Sequence, residues 1–184
     1  MKTDPILMNR IYITLLILTV CITSCSTKDT SFSVTNEAVG PVIKTTKTSE
    51  LKALFKGPTD SLVKTDSDNY VLFEKGGTKL MKLSAKKEDK EIIDHIQFFD
   101  DRYTTQNGIS LKSTFKDIQA AYTVKKISNM IDFIIVSVEE SEIYFIIDKK
   151  HLSSEVRFST SSRLEPIQVP GEAPIKHFMF SWPL

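Results

Sequence analysis

Apolar positions between Glu37 and the end of the chain recur at two spacings, and the two alternate in a fixed order. Glu50-Leu51-Lys52-Ala53-Leu54-Phe55 follows Lys44-Thr45-Thr46, and Asp117-Ile118-Gln119-Ala120-Ala121-Tyr122 follows Lys112-Ser113-Thr114. Both stretches offer hydroxyl residues for a cap, an acid for the first turn, and apolar residues three to four apart. This pattern predicts two short amphipathic helices, the first ended by Gly57-Pro58. Strand-like runs come next. Tyr70–Phe73 and Leu80–Leu83 flank Gly76-Gly77, a hairpin signal, and Phe133–Val138 and Ile143–Ile147 flank Glu139-Glu140-Ser141. Each series closes on the same pattern, I-x-H-apolar-x-F, once at Ile93–Phe98 and once at Ile175–Phe180.

This repeated order predicts an α+β protein of two tandem units, 37–103 and 104–184, each a short helix packed on an antiparallel sheet. The helix starts are offset by 67 residues (Glu50 to Asp117) and the closing strands by 82 (Ile93 to Ile175). The second unit therefore holds an insertion, for which His151–Pro174, with Pro166, Pro170 and Gly171, is the natural place. Ser26–Asn36 is rich in Ser and Thr and reads as a flexible tether.

The first 25 residues have a different character. Lys2 and Arg10 precede an uncharged run, Ile11–Ile22, of 12 residues. Spanning a bilayer takes about 20 apolar residues, whereas 12 suit the apolar core of a secretory signal. Ile22-Thr23-Ser24-Cys25 then resembles the lipobox of bacterial lipoproteins. The resemblance implies cleavage between Ser24 and Cys25, so that 1–24 is a signal peptide, and diacylglycerol and palmitate-type acylation on Cys25. Cys21 competes less well, because Val20 stands where a small residue is wanted. Two or more acyl chains hold a protein stably. The implied location is the cell envelope, at the outer membrane, on its periplasmic face or at the cell surface. No cysteine occurs in the 159 residues after Cys25, so disulfides cannot support the mature fold.

Glu50–Pro58 resembles the helix-end pattern of SmpA/OmlA (BamE-like) outer-membrane lipoproteins, in which a helical hairpin packs on a three-stranded sheet. A tandem version of that arrangement occurs in the β-lactamase inhibitory proteins. The chain as a whole is similar to small tandem-unit lipoproteins of Bacteroidetes-type bacteria. From these resemblances no contact residue carries over.

Charge narrows the function classes. Lys and Arg total 24 and Asp and Glu 23; without Lys2, Arg10 and Asp4 of the leader, 22 of each remain. A neutral chain has no electrostatic basis for nucleic acid binding. Nucleophile elbow, HExxH, P-loop and dinucleotide glycine patterns are all missing, and no cofactor or metal is implied. Asp94 precedes His95, but strand alternation would point them to opposite faces. Asp60, Asp66 and Asp68 are spaced too loosely for a calcium loop. The candidate ligand-binding residues are His95 and His177, at matching places in the closing strands, and Trp182, the single tryptophan. The expectation is a non-catalytic binding or scaffold protein with an envelope protein partner. The alternatives are an enzyme with a dispersed acid and histidine site, and a small-ligand or metal sensor using His95 and His177.

Overall fold

The computed structural model describes residues 30–56, 60–66, 68–139 and 141–182. Cys25 and its lipobox, Gly57-Pro58 and Glu140 lie outside them. The fold is α+β, with two sheets and few helices. Strands β1 (Ser33–Val34), β2 (Ala38–Val39), β3 (Val42–Ile43) and β8 (Thr104–Thr105) make a small sheet in the order β3-β2-β1-β8. The main sheet has nine strands. Its first meander is β4 (Asp60–Lys64), β5 (Asn69–Glu74), β6 (Lys79–Ala85) and β7 (Ile93–Phe98). Its second is β9 (Val124–Asn129), β10 (Phe133–Val138), β11 (Ile143–Asp148) and β13 (His177–Ser181), edged by β12 (Arg163–Leu164). The order is β12-β9-β10-β11-β13-β7-β6-β5-β4, so the meanders meet where β7 pairs antiparallel with β13.

Helix α1 (Leu51–Leu54) precedes the first meander and α2 (Phe115–Ala121) the second. Thr114 caps α2 through a reciprocal capping box with Asp117, whose carboxylate accepts from the Thr114 amide at 2.7 Å. The hydroxyl cap expected for α1 is not formed. Glu50 caps it without a side-chain hydrogen bond, while the Thr46 hydroxyl accepts from the Ile43 amide instead. The cap signal at Thr45-Thr46 lies too far upstream of a helix of four residues. The 151–174 segment carries α3 (Ser154–Arg157) and β12 between β11 and β13.

Two expectations need correction, and one point the sequence leaves open is decided. Each meander has four strands, because β4 and β9, with exposed polar faces, lack the apolar content that marked the others. Whether the two meanders share a sheet is open from sequence; β7–β13 pairing joins them in one sheet across the boundary at 103/104. The tether expected to reach Asn36 is folded from Thr30 onward. Val34 is buried in β1, the Phe32 ring meets Tyr103 edge-on at 5.1 Å, and the Asn36 carbonyl accepts from the Trp182 indole at 3.2 Å. Apolar Phe32 and Val34 outweigh the Ser/Thr composition around them. Gly40 makes this turn possible: its φ is +53°, and a Cβ there would lie 2.6 Å from the Ser31 carbonyl oxygen.

The register explains how the sheet coheres. Leu62, Leu72, Met81, Phe98, Phe178, Phe145, Val136, Ile127 and Leu164 face one another in one row across all nine strands. At its centre Phe98, Phe178 and Phe145 have ring centroids 4.5 and 5.4 Å apart, and Tyr103 adds to the Phe98 end at 4.8 Å. The same face receives Val34, Val39 and Val42 of the small sheet, Leu51 of α1, and Phe115 and Ile118 of α2. Phe178→Ala should cost about 3–5 kcal/mol in urea unfolding, the range for emptying an aromatic core site. Val63→Ala on the edge strand, where Val63 is 43% exposed, should change stability by less than about 0.5 kcal/mol. Equal effects of the two would remove the ladder's central role.

Candidate functional site

The chemistry-bearing side chains collect on the opposite face of the main sheet. Alternation along β13 places Phe178 and Phe180 in the core and His177, Met179 and Ser181 outward. One outward row runs Val63, Val71, Lys82, Gln97, Met179, Tyr144, Ser137, Lys126, and a parallel one runs Asn69, Ser84, His95, Ser181. The Gln97 amide nitrogen lies 3.1 Å from His177 Nδ1 and donates to it when the ring carries its proton on Nε2. Burial disfavours the charged form of His177, and the neighbouring Lys176 ammonium adds repulsion, so its pKa is lowered.

β7 departs from alternation at one point. Ser84 pairs with His95 but Ala85 pairs with Ile93, which leaves Asp94 as an extra residue in a β-bulge. Asp94 and His95 therefore do not diverge as expected. The Asp94 carboxylate lies 2.9 Å from His95 Nδ1, which holds the ring with Nε2 pointing away from the acid. A bulge carries no local sequence mark, so residue spacing alone could not have paired these two.

Three crevices converge on Asp94. One of about 510 Å³ runs between Lys44–Lys47 and Glu91–Asp94, with Trp182 in its wall. A second, of about 580 Å³, joins Asp94 and His95 to Ser181, Tyr144, Lys125 and Trp182. The third, about 350 Å³, lies toward Lys82 and Met179. Tyr144 has a raised pKa, through burial and then the nearby Asp94 charge, so its phenol stays a neutral donor at physiological pH.

Of the three sequence candidates, His95 and Trp182 line the same crevice. Trp182 is buried, meets Phe180 edge-on at 4.8 Å, and presents only part of its ring. His177 does not join them. The pairing of Ser181 with His95 and of Phe178 with Phe98 sets His95 and His177 four residues apart along the strands, about 13 Å. They cannot share one ion, and no group of three or more His, Cys, Asp or Glu with metal-binding geometry occurs among the described residues. Asp94 and Tyr144 are the site residues that sequence reasoning missed.

Toward the end of the sheet away from His95 the outward face is more apolar. Phe133 and Ile135 of β10, Ile146 of β11, Met179 of β13, Phe73 of β5, and Phe99 just past β7 are all half-buried. Strands buried on one face alternate, whereas continuous apolar runs belong to strands covered on both. Phe133–Val136 and Ile143–Ile147 are continuous runs with one covered face.

No family model matches the chain, and no curated protein matches it. The crystal structure of the uncharacterized protein yfeY from Escherichia coli is similar, with a TM-score of 0.51 and 13% sequence identity over 83% of this chain and 99% of that one. That likeness is one of fold.

The pH dependence of stability follows from His177. Between its lowered pKa and the ordinary value of about 6.5, the unfolded chain binds more protons than the folded one, so stability falls as pH drops through that window. Glu74, Asp100 and Asp148 have lowered pKa values, from Arg102 hydrogen bonds for the first two and the Lys150 amide for the third. Their contributions are lost only below about pH 4.5. Urea midpoints should therefore fall from pH 7.5 to pH 5.5, and His177→Gln should flatten that fall. An unchanged slope in the variant would locate the proton elsewhere.

Proposed function

We propose that this chain is a cell-envelope lipoprotein that works by binding, held to the outer membrane through Cys25 and engaging an envelope protein with the outward face of its main sheet. The observation that carries the binding reading is the outward face of the main sheet, with Asp94 and His95 toward one end and half-buried apolar side chains toward the other. Monomeric proteins seldom leave large contiguous apolar patches in water, and those they leave are usually interaction sites. The lipobox at Ile22–Cys25 supports the anchor. No described helix is long and apolar enough to cross a membrane.

The chain is further read as two related units of the BamE-like kind. In favour stand the shared order of one short helix followed by four antiparallel strands, and the pairing of the two I-x-H-apolar-x-F motifs with each other. Four strands per unit set it apart from the three-stranded pattern of that resemblance.

A catalytic reading rests on one feature. His95 is held by Asp94 beside Ser181, its partner on the neighbouring strand, in a crevice that also holds Tyr144. A fluorophosphonate probe that labels Ser181 in the wild type but not in His95→Ala would favour it; the binding reading expects no labelling.

The anchor and the face are tested together in a bacterial host. Intact masses of membrane fractions should start at Cys25 with added acyl mass, and Cys25→Ala should lose that mass. A photo-crosslinking residue at Met179 should capture envelope protein, and Ile135→Asp should reduce that capture without lowering thermal stability. Retention of residues 1–24 without acylation would end the lipoprotein reading, and capture indifferent to Ile135→Asp would end the proposed face.

A further inference from the structure

The two ends of the main sheet differ. At one end lie the loops after β7, β9 and β11: residues 99–103, the 130–132 turn, and 149–158. At the other lie the loops after β4, β6 and β10, together with Trp182 and Asn36. Large apolar side chains stand free in the first set. Ile131 at the tip of the β9–β10 turn is 90% exposed, Met130 beside it 44%, and Phe158, just past α3, 79%.

These tips are held in place rather than loosely attached. The Asn129 amide donates to the carbonyls of Ser159 and Ser161 at 3.1 and 2.6 Å, which ties the turn to the segment following Phe158. The Asn129 backbone also donates to Ser162, in line with β12–β9 pairing. Buried Lys149 donates through Nζ to the Arg157 carbonyl, and the Arg157 guanidinium reaches the carbonyls of Lys150 and Leu152. The segments that carry the two apolar side chains are thus tied to each other at Asn129. Lys150 and Arg163, in segments tied to the same loops, are exposed. Solvent alone gives no reason for that arrangement.

The chain enters the fold at the same end. Thr104 donates to the Phe32 carbonyl, the Arg102 guanidinium lies over the Phe32 ring at 4.3 Å, and Thr30 accepts from the Ser33 amide. From there β1 runs toward Asn36 at the far end, beside Trp182. Only four residues separate Cys25 from Thr30, and the five Cα steps between them span at most about 18 Å when fully extended.

From these observations we infer that the sheet end bearing Met130, Ile131 and Phe158 faces the bilayer, and that Ile131 and Phe158 insert into its interfacial layer beside the lipidated N-terminus. This rests on the lipoprotein reading, because acyl chains on Cys25 bring the bilayer within reach of Thr30. A short leash then brings whichever end of the molecule lies nearest against the lipid, and that end carries the apolar tips. Aliphatic and aromatic side chains flanked by Lys and Arg are the composition that suits a lipid interface. Lipid is the committed occupant. A soluble partner would have no need to sit beside the chain's entry point.

The mature chain has no cysteine beyond Cys25, so single cysteines can be labelled cleanly. The full chain is expressed in a bacterial host, its acylation checked by intact mass, and the lipidated protein reconstituted in vesicles of phosphatidylethanolamine and phosphatidylglycerol. An environment-sensitive NBD label is placed at Ile131→Cys, at Phe158→Cys, or at the far-end control Glu139→Cys. The labels at 131 and 158 should shift to the blue and be quenched several-fold more by nitroxide-bearing lipids than the label at 139. Circular dichroism confirms that each labelled chain is folded. Acylated protein whose labels at 131 and 158 stay in water, or match the label at 139, overturns the inference and leaves the anchor standing. A chain that is not acylated overturns the anchor, and the inference with it.

Discussion

Nine apolar side chains in register, one from each strand, tie the main sheet together, and the rest of the structure is arranged around that row. Cross-strand pairs are the unit of sheet stabilisation, and aromatic pairs are among the better ones. Here three phenylalanines occupy the three strands where the two meanders meet, so the strongest contacts lie at the join. The join is also the least local pairing in the sheet, since β7 ends at Phe98 and its partner begins at His177. Closing it costs loop entropy that grows slowly with length, so about 80 intervening residues are affordable once the ring contacts form. The small sheet and helices α1 and α2 then have one apolar surface to cover, and they all pack on it.

How much of this was legible follows from the same geometry. The strands that supply the centre of the row carry aromatic and branched residues, and their positions could be read from the chain: Phe133–Val138, Ile143–Ile147 and the two I-x-H-apolar-x-F stretches. β4, at one edge, and β9, flanked only by the two-residue β12, carry two apolar residues each, Leu62 and Val63, and Val124 and Ile127, too little signal to outweigh the polar residues beside them. The pairing of the two closing motifs was not legible either, because similarity of two strands says nothing of whether they touch. The site was read least well. His95 and Trp182 were chosen for residue type and do share a crevice, but Asp94 was set aside by a rule of alternation that a bulge suspends.

The bulge also links the fold to the site in a physical way. An inserted residue raises local twist and turns a side chain to the face it would otherwise avoid. Without it, Asp94 would point at the packed side beside Ile96, where a carboxylate lacks a partner, and Ile93 would be turned outward. With it, the acid lies outward against His95 and near Tyr144. The sheet thus keeps its core dry and gains a polar focus on its open face through one irregularity next to the join. The join is the least tolerant part of the sheet to change, which makes it a rigid seat for groups that must hold a geometry.

Orientation follows from these elements taken together. With the Met130, Ile131 and Phe158 end toward lipid, the strands rise away from the bilayer and the outward face stands upright. Asp94 and His95 then lie toward the distal end, beside Trp182 and Asn36, out of reach of lipid headgroups. Six residues at about 3.4 Å each make a strand roughly 20 Å long, enough to lift the polar focus above the headgroup layer. Apolar residues at the proximal tips and apolar residues on the upright face therefore answer to different solvents. In the proposed orientation lipid takes the place of water around the tips, of which Ile131 and Phe158 are the most exposed. The face is half-buried by its own neighbours, which fits the proposed binding role. The core row between them is complete from Leu72 to Leu164, so neither set is a by-product of an incomplete core.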